Sequence, residues 1–67
     1  EPPARATAPL RALASDAKED PEVRAVALRA LPRLEGDAGA AFLKRILPME
    51  PDARVRRLIN ALLFEYY

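Results

Sequence analysis

Asp20-Pro21-Glu22-Val23-Arg24-Ala25-Val26-Ala27-Leu28-Arg29-Ala30-Leu31-Pro32-Arg33-Leu34 is the stretch whose reading decides the fold. Val23, Val26, Ala27, Ala30, Leu31 and Leu34 stand at i, +3, +4, +7, +8 and +11, the spacing that lines apolar groups along one helix face. Asp20 is placed to cap that helix by accepting a free N–H of its first turn. Pro21 then falls at the first helical position, where its missing N–H leaves nothing unsatisfied, and Glu22 suits the positive end of the helix dipole. Gly36, just past Leu34 and Glu35, supplies a stop. Pro32 conflicts with an unbroken helix. It removes the bond to the Leu28 carbonyl and crowds it, so a kink or an early end near Leu31 is expected.

Outward from this stretch the chain divides into short helical segments. Glu1 to Ala6, with Pro2-Pro3, reads as a linker end, and residues 7–67 as a single helical domain. A first helix is expected from about Thr7, a possible cap, to Lys18, with Ala6, Leu10, Leu13, Ala14 and Ala17 along one side. Those small residues predict close approach to a neighbour. The short turn before Asp20 makes the first and second helices antiparallel neighbours. After Gly36, Asp37 is the expected cap of a third helix from Ala38 to about Leu47, with Gly39, Ala40, Leu43, Ile46 and Leu47 inward and Phe42 on a flank. Pro48 stops it. The last helix runs from Asp52 or Ala53 towards Tyr67, with Val55, Leu58, Ile59, Leu62, Leu63 and Tyr66 as its stripe. No segment alternates with period two for long enough to predict a strand.

The second and fourth helices are copies. At an offset of 32 residues Val23-Arg24 falls on Val55-Arg56, Val26-Ala27 on Leu58-Ile59, Ala30-Leu31 on Leu62-Leu63, and Leu34 on Tyr66. The first and third helices match at an offset of 33, Leu10 on Leu43 and Leu13 on Ile46. Self-similarity at this period is the mark of solenoids, in which each unit buries its apolar face against its neighbours. The expected fold is all-α: an α-α superhelix fragment of about four helices in two stacked antiparallel hairpins.

The pattern Asp-Pro-Glu-Val-Arg from Asp20 to Arg24, with Ala27 and Ala30-Leu31 after it, resembles HEAT-like repeats of the bacterial phycobilisome-lyase type. Arg33-Leu34-Glu35-Gly36-Asp37 and the helix bearing Leu43, Ile46 and Leu47 are similar too. The second copy departs from the pattern: Asp52-Ala53-Arg54-Val55-Arg56 replaces the motif, and Ile59 and Leu62 replace the small Ala27 and Ala30. Such bulk suits a terminal, capping helix. The resemblance covers residues 7–67 and implies an interaction scaffold far more than a lyase. It also implies that Arg24 and Arg56 form a structural ladder. Both lie about 80–90° off their stripe centres, at a step of about 100° per residue. There each could bond carbonyls or a carboxylate such as Asp16, Asp20 or Asp52.

Composition limits the remaining functions. The chain has 67 residues, near the lower bound for a self-sufficient core, and no cysteine to staple it. Its 11 basic and 10 acidic residues give a net charge of +1, too little to steer nucleic acid or an anionic membrane. No apolar run approaches the roughly 20 residues that span a bilayer, so a soluble segment is expected. The opening Glu1 in place of Met points to a piece of a longer protein, and the Ala, Arg, Leu and Pro content to a GC-rich bacterial source. The compartment stays open, with the cytoplasm favoured.

No catalytic, cofactor-binding or metal-ligating residue is expected. The chain lacks His and Cys, its hydroxyls Thr7 and Ser15 have no neighbouring base, and its acids sit where capping explains them. The candidate interface is Leu28, Phe64, Tyr66 and Tyr67, because Leu28 and Phe64 fall on the expected polar side of their helices and Tyr67 on the flank. Packing against several neighbours explains the same residues. The expected function is a non-catalytic protein–protein interaction module that binds a protein partner or itself. The alternative is a capping or dimerising piece of a longer repeat array. A nucleic-acid face built on Arg24, Arg29, Arg33, Arg54, Arg56 and Arg57 is a distant third, since these scatter around the helices among Glu22, Asp52 and Glu65.

Overall fold

Asp20 and Asp52 begin the two best-defined helices by the same local chemistry. The Asp20 carboxylate accepts from Glu22 N at 2.8 Å, and that of Asp52 from Arg54 N at 2.7 Å and Val55 N at 3.3 Å. The structure, a computed structural model, describes the backbone of residues 4–67 and the side chains of residues 7–67. The first three residues of the expected linker and the Ala6 side chain lie outside the described set. Among the described residues four α-helices follow one another: α1 Ala4–Ser15, α2 Pro21–Glu35, α3 Asp37–Ile46 and α4 Ala53–Tyr66, with a 3₁₀ turn at Leu47–Met49. Two helical hairpins, α1–α2 and α3–α4, stack on each other, and α2 packs on all three other helices. There is no strand among the described residues.

Helix ends differ from expectation where side chains find other work. Helix α1 starts at Ala4, ahead of Thr7, and ends at Ser15 rather than Lys18. Thr7 is not a cap; its hydroxyl donates to Glu35 Oε2 from a buried site. Asp16 stops the helix by accepting from Lys18 N at 3.0 Å, a side-chain turn that competes with helix propagation. Asp37 likewise does not cap α3. Gly36 serves as end of α2 and start of α3 together, at φ 62 and ψ −129, a backbone setting that only glycine adopts readily.

Pro32 does not end α2 near Leu31; the helix runs on to Glu35. The turn beyond the proline is held from outside its own ladder. Gly36 N donates to the Pro32 carbonyl at 2.9 Å, Leu31 is enclosed, and Glu35 is gripped by α1. Opposite Pro32, α3 comes unusually close. A Cβ placed on Gly39 would lie 2.4 Å from the Leu31 carbonyl oxygen and 3.1 Å from Pro32 N.

The main correction concerns which face of α2 is inside. Its buried residues are Arg24, Ala27, Leu28 and Leu31. Val23, Val26 and Leu34, expected inside, are exposed, and Ala30 is half-buried. The interior face is therefore turned by about 90° from the apolar stripe, close to one residue's step. In α4 the expected stripe does face inward: Val55 and Ile59 are buried, and Leu58, Leu62 and Leu63 pack against the core. Tyr66, its last member, stays exposed. In α3, Leu47 leaves the helix for the 3₁₀ turn, and Phe42 is buried rather than flanking.

The core is small: Ala14, Ala27, Leu28, Leu31, Phe42, Leu43, Ile46, Val55 and Ile59 with a partly buried rim. Burial of each large aliphatic side chain is worth about 1.5–3 kcal/mol, so local misfits are felt by the whole domain. Gly39→Ala is expected to lower stability by about 1–3 kcal/mol through overpacking against the Leu31 carbonyl. Urea unfolding checks this, and an unchanged midpoint would show that α3 is not held this close.

Candidate protein-interaction surface

Two buried polar clusters fix how the helices meet. Arg24, at the start of α2, is enclosed and forms a bidentate pair with Glu50, with Nη1 donating to Oε2 at 3.0 Å and Nη2 to Oε1. The same Nη2 donates to the Ala14 carbonyl near the end of α1 at 3.1 Å. Glu50 Oε2 also accepts from Asp52 N at 2.9 Å. One arginine thus ties the end of α1 to the connection that opens α4. Its carboxylate partner is Glu50, none of Asp16, Asp20 or Asp52. Arg24 Nε has no hydrogen-bond partner among the described residues.

Arg56, the matching position in α4, is exposed instead. Its Nη1 donates to the Glu50 carbonyl at 2.8 Å and the Pro51 carbonyl at 3.0 Å, within its own hairpin. The second cluster joins α1 to the end of α2. Glu35 accepts from Arg11 Nε at 3.1 and 3.0 Å, from Arg11 Nη2 at 2.5 Å, and from Thr7. The hydrogen bond from Arg11 holds the Glu35 carboxyl below its ordinary value, helped by Thr7, and raises the Arg11 guanidinium in turn. Arg11 and Arg45 flank the Phe42 ring, with Cζ 4.7 and 5.4 Å from its centroid.

Between α2 and α4 runs an open groove of about 380 Å³. Leu58, Leu62, Pro32 and Tyr66 give it apolar walls, while Arg29, Arg33 and Glu65 supply charge. Tyr66 closes one end: its hydroxyl donates to Asp37 Oδ1 at 2.5 Å, tying the last turn of α4 to the first of α3. That bond raises the Tyr66 phenol above its ordinary value. Beyond it Tyr67 packs edge-on against Tyr66 at 5.2 Å between centroids, with Lys44 Nζ 5.6 Å from the Tyr67 ring. Phe64 is 86% exposed and Tyr67 74%.

Of the four residues singled out for an interface, Leu28 is enclosed at 0% exposure, between neighbours on several sides. It is removed from the surface and belongs to the core. Phe64 and Tyr66 lie in the last turn of α4, about 160° apart around the helix, and Tyr67 follows in ring contact with Tyr66. The groove charges Arg29 and Arg33 were read from the sequence only as scattered basic residues; what gathers them is their +4 spacing beside α4. Glu50 and the Thr7–Arg11–Glu35 cluster carried no distinguishing signal, since acids near prolines and caps read as turns. No group of three or more acidic residues is arranged to hold a metal ion among the described residues.

Removing one partner of the enclosed pair leaves a bare buried charge, so Glu50→Leu or Arg24→Met alone is expected to cost about 3–5 kcal/mol. The double variant Arg24→Met/Glu50→Leu should recover most of that loss in a urea double-mutant cycle; strictly additive losses would contradict the pairing. Glu35 adds a pH dependence. Its folded value is depressed below the ordinary 4.5, so its contribution is complete above about pH 4.5 and is lost as pH falls through the folded value. Asp52, lowered by the Arg54 and Val55 backbone N–H groups, acts in the same sense. Glu35→Gln is expected to flatten the fall of the urea midpoint in acid, and identical acid limbs would rule out the clamp.

A family model for HEAT repeats matches residues 2–63. No curated protein and no solved structure matches the chain. No described helix is long and apolar enough to cross a membrane. The match spans nearly the whole sequence and takes in both helical hairpins, with their repeated capping and their shared core. By these features the chain belongs to the HEAT-repeat family.

Proposed function

We propose that this helical-repeat scaffold is a non-catalytic protein-interaction module, working along the α2/α4 groove and the aromatic end of α4. The observation that carries the reading is the outward display of Phe64 and Tyr67 at the end of α4, with Tyr67 packed on Tyr66, which lines the groove. Aromatic side chains so exposed cost solvation in the free molecule and supply contact area on binding. Leu58 and Leu62 offer a floor for an apolar anchor, and Arg29 and Arg33 bias the partner towards acidic groups beside that anchor. The finer kinship, to phycobilisome-lyase-type repeats within a larger bacterial protein, belongs to the same proposal. It rests on the motif from Asp20 to Arg24 and on composition.

A second reading, a capping or dimerising piece, is favoured by one exchange between the repeats. Leu28 is enclosed in α2, whereas the matching Asn60 in α4 is exposed. A polar residue there suits a helix that ends a stack.

Phe64→Asp and Tyr67→Asp separate these readings from inert packing. Both residues are exposed, so the variants should keep the wild-type urea midpoint while losing what the wild type captures from cell extract or its own self-association on sizing. Unchanged capture and unchanged oligomeric state in both variants would remove the aromatic end from the function.

A further inference from the structure

Phe64 does not face the α2/α4 groove. In α4 it stands about 160° around from Leu62 and Tyr66 and about 120° from Leu58, the residues that line the groove. Its own side of the helix carries Arg57 about 20° away and Asn60 about 40° away, with Arg56 at the edge of the same strip, about 80° away. All four are exposed. Tyr67 follows past the end of α4, its N–H still bonded to the Leu63 carbonyl at 3.0 Å. Lys44 of α3 reaches over its ring, with Nζ 5.6 Å from the centroid.

The charge on this strip has one sign. Its charged groups are Arg56, Arg57 and Lys44, whereas Glu65, the only acid in α4, lies on the groove side. Neither Arg57 nor Lys44 forms an ion pair among the described residues, and Arg56 bonds only the Glu50 and Pro51 carbonyls there. Three cations beside two exposed rings, in a chain of net charge +1, gather positive potential on one side of one helix. Symmetric pairing of two such strips would set like charges against each other, which disfavours a second copy. Nucleic acid is served poorly as well. Tyr67 has Lys44 over its ring and Tyr66 against it, so Phe64 is the one open surface for stacking a base.

Spacing defines the partner further. Arg57 and Phe64 are about 10 Å apart along α4, the length of about three residues of extended chain. Between them stands the exposed Asn60 amide, a donor and an acceptor at the place where an extended backbone offers both. A partner helix would have its backbone groups already bonded. We infer that the outer strip of α4 binds an extended acidic segment of a protein partner. Carboxylates pair with Arg56 and Arg57, an aromatic or aliphatic side chain three residues on packs against Phe64, and a further carboxylate reaches Lys44 beside Tyr67. Asn60 bonds the backbone between the anchors. This rests on the interaction-module reading and gives it a second surface, separate from the groove.

The probe is a fluorescein-labelled peptide, Asp-Glu-Ser-Thr-Phe-Asp-Glu, followed by anisotropy against the whole chain at low salt. Saturable binding that weakens as salt rises is expected, with loss of about tenfold or more in affinity for Arg57→Gln and for Phe64→Ser. Arg33→Gln removes the same charge from the groove and should leave binding unchanged. All three positions are exposed, so each variant should keep the wild-type urea midpoint. Absence of saturable binding, equal losses for Arg33→Gln and Arg57→Gln, or equal binding of the peptide with Asn and Gln in place of its acids would overturn the assignment. Tighter binding of a labelled oligothymidylate would give the strip to nucleic acid, and a dimer lost with Arg57→Gln would give it to a second copy; either overturns it. If the peptide fails while Phe64→Asp still abolishes capture from extract, the interaction-module reading stands and this assignment alone falls.

Discussion

The ion pair of Arg24 with Glu50 is the constraint on which the rest of the molecule depends. An enclosed guanidinium is tolerable only if its charge is matched and its donors are satisfied, and here a bidentate carboxylate and the Ala14 carbonyl meet both needs for its two terminal nitrogens. Holding Arg24 inside sets the rotation of α2. Residues 28, 31 and 35 follow it inward at helical spacing, and Val23, Val26 and Leu34 are turned out. The pair also fixes how the two hairpins stack, because its members come from α2 and from the connection that opens α4. Tertiary electrostatics, paired with one leucine, outweigh a longer run of small aliphatic residues.

That rotation gives the module its two different surfaces. Towards α4, α2 presents Ala25, Arg29 and Pro32, small or long-stemmed groups that leave an open charged groove. Away from α4 it presents bare aliphatic side chains. Close approach elsewhere, notably Gly39 against the Leu31 carbonyl, gives α3 the room to lie on α2. The Thr7–Arg11–Glu35 cluster pins the far end of α2 to α1, so the groove is framed by helices anchored at both ends.

Although Asp37 was read as the cap of α3 and Asp52 only as a turn or first helical residue, helix number, the cap at Asp20, the break at Gly36 and the repeat were legible in the sequence, because each depends on neighbours a few residues apart. The α4 stripe was legible for the same reason. The α2 face was not. A charged residue stands at its centre, and periodicity ranks charge as outside; yet Arg24, Leu28, Leu31 and Glu35 keep the spacing i, +4, +7 and +11 as faithfully as the aliphatic set. Leu28, apolar on the supposedly polar side, was the visible sign. Glu50 left no such sign, since its partner is 26 positions away and its role is set by packing alone. Of the candidate interface, Phe64 and Tyr67 fell off the α4 stripe in the sequence, whereas Tyr66 was read into that stripe and Leu28 could not be told from core without knowing the rotation.

The orientation of α2 carries the whole account, and the absence of cysteine makes it directly measurable. Single cysteines are placed at Val26 and at Leu28, and their reaction with a thiol reagent is timed in native buffer. Modification of Val26→Cys at nearly the rate of an unfolded control, with Leu28→Cys protected by orders of magnitude, is the predicted result. A protected Val26→Cys beside a reactive Leu28→Cys would restore the aliphatic stripe to the interior and contradict the rotation set by Arg24.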